Sequence, residues 1–182
     1  MILRCLNSPI LVMGMHRSGT SLVSRMVGEC DVWMGCRKDA NGESLFFQDI
    51  NKRLLRRNGD YWHSCDRTLA SLKNSKERLE LTRQVNSVCR RGLPLRHFGI
   101  RWLAHTPKVW AQKGAMAWGW KDPRNTLLVP LWKQVFPEAR LIAVVRDPKE
   151  TCLSLYHREW ARYSVKRNRG IAKGDFEFPL MK

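Results

Sequence analysis

The 182 residues are 43% hydrophobic, enough for a buried core in a single domain spanning 1–182 and too much for wholesale disorder. A balance of 33 Lys and Arg against 16 Asp and Glu gives a net charge of +17, a surface that attracts nucleic acid, anionic lipid, acidic glycan or a multiply phosphorylated nucleotide. The six cysteines form neither a CxxC nor a zinc-spaced Cys/His cluster, so no metal scaffold is expected, and they read as reduced thiols of a cytoplasmic protein.

Pro9-Ile10-Leu11-Val12-Met13 is a continuous apolar run that stops at Gly14, the pattern of a strand buried on both faces. The run ends in a glycine-bounded turn with no cleavage site, so a signal peptide is not expected here. No apolar stretch approaches the roughly 20 residues that span a bilayer. From Thr20 to about Cys30 the apolar residues Leu22, Val23, Met26 and Val27 keep helical spacing. Val32-Trp33-Met34 is expected as a short strand. Ser44 to Asn58 reads as a helix ended by Gly59, and Arg67 to Arg91 as one long, mostly polar helix ended by Gly92 and Pro94.

The stretch from His97 to Gly114 carries no clear periodicity. Ala117-Trp118-Gly119-Trp120 is then expected as a strand, followed by a helix that Asp122 caps and Pro137 stops. Leu141-Ile142-Ala143-Val144-Val145 reads as a second strongly buried strand. Asp147-Pro148-Lys149-Glu150 starts another helix, with an Asp cap, Pro at the first position and Glu at the third, running to about Tyr163. Residues 165–182 read as a basic tail. Alternating strands and helices predict an α/β fold, a three-layer sandwich around a central parallel sheet, P-loop NTPase-like. In such sheets ligands bind beyond the carboxyl ends of the strands, which directs attention to two loops.

Gly14-Met15-His16-Arg17-Ser18-Gly19-Thr20-Ser21 resembles the phosphate loop G-x-x-x-x-G-K-[ST], with Thr20 in place of the lysine. Backbone N–H groups and a helix N-terminus suffice to cradle a phosphate. The absent lysine is the group that reaches the β- and γ-phosphates of a triphosphate, which argues against an ATPase or GTPase. Arg17 supplies a cation earlier in the loop and suits a shorter donor. The second loop is Val144-Val145-Arg146-Asp147-Pro148, with Ser154 eight residues past Arg146. An arginine fork and a hydroxyl can grip one phosphate, each charge-assisted hydrogen bond contributing about 1.5–3 kcal/mol.

Together these loops resemble those of the sulfotransferases that use 3′-phosphoadenosine 5′-phosphosulfate, over roughly residues 9–58 and 117–163. The likeness is closest in character to the bacterial-type and carbohydrate-acting branches, which often carry a segment like Trp120-Lys121-Asp122-Pro123-Arg124. The resemblance implies that His16, Arg17, Ser18, Gly19, Thr20 and Ser21 bind the 5′-phosphosulfate and that Arg146 and Ser154 bind the 3′-phosphate. It further implies Arg17 and Lys121 as cations at the transferred group, and a base from the segment after the first helix: Glu43, with Asp49 second. Should Gln48 hold the family's acid position, the base lies elsewhere.

The implied reaction moves a sulfuryl group to a hydroxyl or amine of an acceptor, carbohydrates included, without a metal. Residues between Trp62 and Gly114 are expected to shape the acceptor pocket. Relatives generally continue for many tens of residues beyond the second motif, whereas this chain ends 28 residues after Ser154. Two alternatives stay open. One is another nucleotide-dependent enzyme, such as a small-molecule kinase with a degenerate loop. The other is a non-catalytic polyanion binder or truncated homologue; against it, no nucleic-acid motif and no patterned stacking aromatics are present.

Overall fold

The computed structural model describes residues 8–100 and 117–169. Three strands, β1 (Ile10–Gly14), β2 (Gly119–Lys121) and β3 (Arg140–Val144), form a wholly parallel sheet in the order β2-β1-β3. Leu11 and Val12 are adjacent in β1 and so point to opposite faces, and neither is exposed. The sheet is therefore covered on both sides by helices, as an α/β fold requires.

Helix α1 (Thr20–Glu29) follows β1 directly, and α2 (Leu45–Arg57) buries Phe46, Phe47, Ile50, Leu54 and Leu55 along one stripe. The expected single helix over 67–91 is instead two, α3 (Asp66–Lys73) and α4 (Ser75–Gly92). Asn74 separates them in an extended conformation, and its side chain accepts hydrogen bonds from the Lys76 and Glu77 amides as the cap of α4. Gly92 and Pro94 do not end the helical path; a π-helical turn, Leu93–Phe98, carries it on. Residues 101–116, most of the stretch without clear periodicity, lie outside the described residues, as does Cys5. The remaining cysteines, Cys30, Cys36, Cys65, Cys89 and Cys152, are free thiols.

Val32 to Met34 is not a strand: Trp33 makes one isolated parallel bridge to Trp118. Helix α5 (Asn125–Val135) starts after a turn in which Asp122 Oδ1 accepts the Arg124 amide at 2.9 Å. Helix α6 (Pro148–Asn168) has the expected Asp147 cap, with Oδ1 accepting from the Lys149 and Glu150 amides, and it extends past Tyr163 into what the sequence suggested was tail. The reading of β3 as strongly buried is wrong. Leu141 is 38% exposed and Val145, just past the strand, 90%. As the outer strand, β3 pairs on one side only among the described residues.

The core is aromatic. The Phe47 ring stacks on Trp120 at 3.7 Å, and Trp118, Trp132, Phe98 and Phe136 close around them. Inside this shell lies a polar network. Asn51 donates to Asp122 Oδ2 and Asn125 Oδ1 at 3.0 Å each, while Trp120 and Trp132 donate their indole N–H to Asn125 and Asn51. The indole N–H groups of Trp120 and Trp132 thus each have an acceptor, and the turn after β2 is tied to α2 and α5. Three tryptophans are in this way accounted for by packing.

Candidate active site

The carboxyl ends of β1 and β3 and the end of β2 open onto a cleft of about 500 Å³, lined by the phosphate-type loop, Glu43, Lys121, Arg146, and by Trp62, Arg124 and Arg158 among others. At the end of β1, Gly14 has φ +150°, and a Cβ there would collide with the Val144 carbonyl of β3. The position therefore takes glycine alone, and the loop turns hard against β3. Arg17 stands in the left-handed region at φ 73°, as does Gly19 at φ 101°. Helix α1 has no side-chain cap among the described residues, and although Leu22 N–H already donates to the Gly19 carbonyl at 3.0 Å, the N–H groups of Thr20 and Ser21 keep their capacity for an anion. The Ser18 hydroxyl is buried within this cradle without a hydrogen-bond partner among the described residues.

The second loop comes to the same place. Arg17 Nε donates to Ser154 Oγ at 2.9 Å, and Arg146 Nη1 donates to the Arg17 carbonyl at 3.4 Å. Arg146 also pairs with Glu150 at 2.8 Å, one turn into α6. Arg17, Arg146 and Ser154, spread over 137 positions, thus form one basic corner beyond the sheet.

On the β2 side of the cleft sits a buried charge cluster. Glu43 accepts from Lys121 Nζ at 3.3 Å on Oε1 and from Arg124 Nη1 at 3.1 Å on Oε2. The same Arg124 nitrogen reaches Asp122 Oδ1 at 2.8 Å. Lys121 Nζ also touches Ser21 Oγ at 3.3 Å and the Asn41 carbonyl at 3.2 Å, linking the cluster to the first turn of α1. Two cations and two carboxylates balance, which is the condition for burying them together.

Burial works to raise the Glu43 carboxyl, but the hydrogen bond from Gln48 and the charges of Lys121 and Arg124 outweigh it and hold the group below its usual range. Asp122 goes the other way, raised to about 6 by burial despite Arg124 and the Asn51 hydrogen bond. His16, in the loop, is lowered to about 4, first by burial and then by Arg124, so its imidazole is neutral at pH 7. Its ring meets Trp62 edge to face at 4.6 Å, and the Arg158 guanidinium lies 5.5 Å from the Trp62 ring.

Across residues 9–175 the chain matches the family model described as "Sulfotransferase family". The chain belongs to the sulfotransferase family. No curated protein and no solved structure matches it. In this sulfotransferase-family chain His16, Arg17, Gly19 to Ser21, Glu43, Lys121 and Arg146 line one cleft; Ser18 and Ser154 are outside its lining, and Ser154 joins it through the hydrogen bond from Arg17. Asp49, the second candidate for the base, is elsewhere. It pairs with Arg53 and Arg96 and lines a separate groove between α2 and α4.

Sequence reasoning passed over Arg124, Lys52 and Arg158 and met Gln48 only as a residue that could stand at the family's acid position. Arg124 had a signal, as the last residue of the segment singled out around Lys121. Lys52 and Arg158 reach the site only through helix placement. Among the described residues no cluster of His, Cys, Asp and Glu is arranged to hold a metal ion, and no helix is long and apolar enough to cross a membrane.

Proposed function

We propose that the chain transfers a sulfuryl group from 3′-phosphoadenosine 5′-phosphosulfate to a hydroxyl or amine of an acceptor, carbohydrates among them. The observation that carries this reading is the meeting of Arg17 with Ser154 and Arg146 at one edge of the sheet. A nucleotide phosphorylated at both ends needs two anion grips on one side of a cleft. The glycine cradle at Gly14 and the unpartnered Ser18 hydroxyl fit the 5′ end, and Arg146 with Ser154 fits the 3′-phosphate.

The donor supplies an activated sulfur whose bond to the bridging phosphate oxygen breaks as the acceptor oxygen or nitrogen bonds to it. Arg17, His16 and the N–H groups of Gly19 to Ser21 hold the phosphosulfate end, and Arg17 neutralises the charge left on the departing phosphate. Lys121, already bonded to Ser21, needs only a small movement from Glu43 to meet the sulfuryl oxygens. Glu43 takes the acceptor's proton on Oε1 once Lys121 turns toward the donor.

Calorimetry with 3′-phosphoadenosine 5′-phosphate and with ATP tests the donor assignment. Tight binding of the former and weak binding of the latter is expected. Preference for ATP would sink the reading in favour of a triphosphate-dependent enzyme.

A further inference from the structure

Glu43 does not hold its position through the two cations alone. Gln48 and Lys52 stand four residues apart on one face of α2. Lys52 Nζ donates to Gln48 Oε1 at 2.8 Å. Gln48 Nε2 then donates to Glu43 Oε2 and to Asp39 Oδ2, at 2.9 Å each. Both protons of the amide and its oxygen are committed. Turning the amide over would set its oxygen against two carboxylates and its NH₂ against an ammonium, so only one orientation is compatible with the neighbours.

Asp39 is fixed in turn. Its Oδ1 accepts the backbone amides of Asn41 and Glu43, at 2.9 and 2.8 Å, pinning the loop that carries Glu43. We propose that Gln48 is a positioning residue for the Glu43 carboxylate, its amide oriented by Lys52 and braced on Asp39. This rests on the reading of Glu43 as the proton acceptor.

The arrangement has a chemical consequence. Gln48 engages Oε2, together with Arg124, and leaves Oε1 to Lys121 alone. When Lys121 turns to the donor, Oε1 is the atom released and Oε2 stays anchored. A carboxylate held by one oxygen presents the other in a fixed direction, whereas an unanchored one would follow Lys121. Lys52, which makes no ion pair with a carboxylate among the described residues, polarises the amide and strengthens its grip on Glu43. The groups facing Glu43 are thus Lys121, Arg124, His16, Gln48 and, through Gln48, Asp39 and Lys52.

The test needs no acceptor. The side-chain carboxyl ¹³C resonance of Glu43 is followed against pH in the full chain, identified by its loss in Glu43→Gln. In Gln48→Met the midpoint should move to higher pH, and at a fixed pH near 5 the protonated fraction should rise roughly threefold to tenfold. Lys52→Met should move it the same way by less, and it decides the question should Gln48→Met fail to fold. A midpoint unmoved in the folded variants would overturn the positioning role. Failure of the base assignment reads out separately, as turnover that survives Glu43→Gln while the titration still responds to Gln48.

Discussion

Arg17 and Ser154 share a hydrogen bond of 2.9 Å between loop and helix, although 137 positions separate them in the chain. That bond, with the 3.4 Å contact from Arg146 to the Arg17 carbonyl, makes one corner of the cleft common to both nucleotide-type loops. Arg146→Ala should weaken 3′-phosphoadenosine 5′-phosphate about 10- to 100-fold, the loss of one charge-assisted contact or two, while 5′-AMP changes little. Calorimetry of both ligands on both proteins checks this. Equal losses would place Arg146 away from the 3′-phosphate.

Glu43 is 3% exposed and carries three donors, so its removal has two separable effects. Glu43→Gln keeps the shape but leaves Arg124 with Asp122 alone and Lys121 with no carboxylate partner among the described residues, which lowers stability. Turnover with an acceptor drawn from a hydroxyl-compound screen should fall roughly a hundredfold to ten-thousandfold, with 3′-phosphoadenosine 5′-phosphate affinity within a few-fold of the parent. Undiminished turnover would move the base to another group.

Much of this site was legible because its parts are local. An apolar run closed by glycine, a loop of small donors and apolar residues at helical spacing are fixed within about twenty residues of sequence, and Asp147-Pro148-Lys149-Glu150 is a complete capping signal. The charge cluster was half legible: Glu43 and Lys121 came from resemblance, but their partner Arg124 and the Gln48–Lys52 relay depend on how α2 lies against the turn after β2. The misreading of β3 has the same origin. Leu141 to Val145 has the composition of a doubly covered strand, yet exposure follows from its outer place in the sheet, which composition does not encode.

The break between α3 and α4 shows a local signal overlooked beneath a longer-range one. Leu69, Leu72, Leu79, Leu81 and Val85 sustain a helical pattern through Asn74, but Asn74-Ser75-Lys76-Glu77 contains a good cap with an acidic third position, and Asn74 takes it. Asn74→Ala removes the acceptor for two amides and should cost about 1 kcal/mol. Asn74→Ser should restore most of that. Urea unfolding of the three proteins checks both, and an Ala variant as stable as the parent would mean that the cap contributes nothing.

His97 ties the fold to pH. It is fully buried among Phe47, Phe98 and Trp118, hydrogen-bonded to Ser44 Oγ at 2.9 Å, and burial lowers it to about 3. Between that value and its ordinary 6.5 the unfolded chain binds a proton that the folded chain refuses, so stability is full above about 6.5 and falls as pH drops toward 3. His16, lowered to about 4, acts in the same direction. Asp122 opposes them: raised to about 6, it is protonated when folded and ionised when unfolded between 3.8 and 6, so its own contribution is lost as pH rises through 6. Two histidines outweigh one carboxyl near pH 5, and the net slope is positive. Unfolding free energy should therefore drop by roughly 1–3 kcal/mol from pH 7 to pH 5 in the parent, and by clearly less in His97→Asn, which has no charge to gain. An identical slope in the two proteins would show that His97 is not held neutral by the fold.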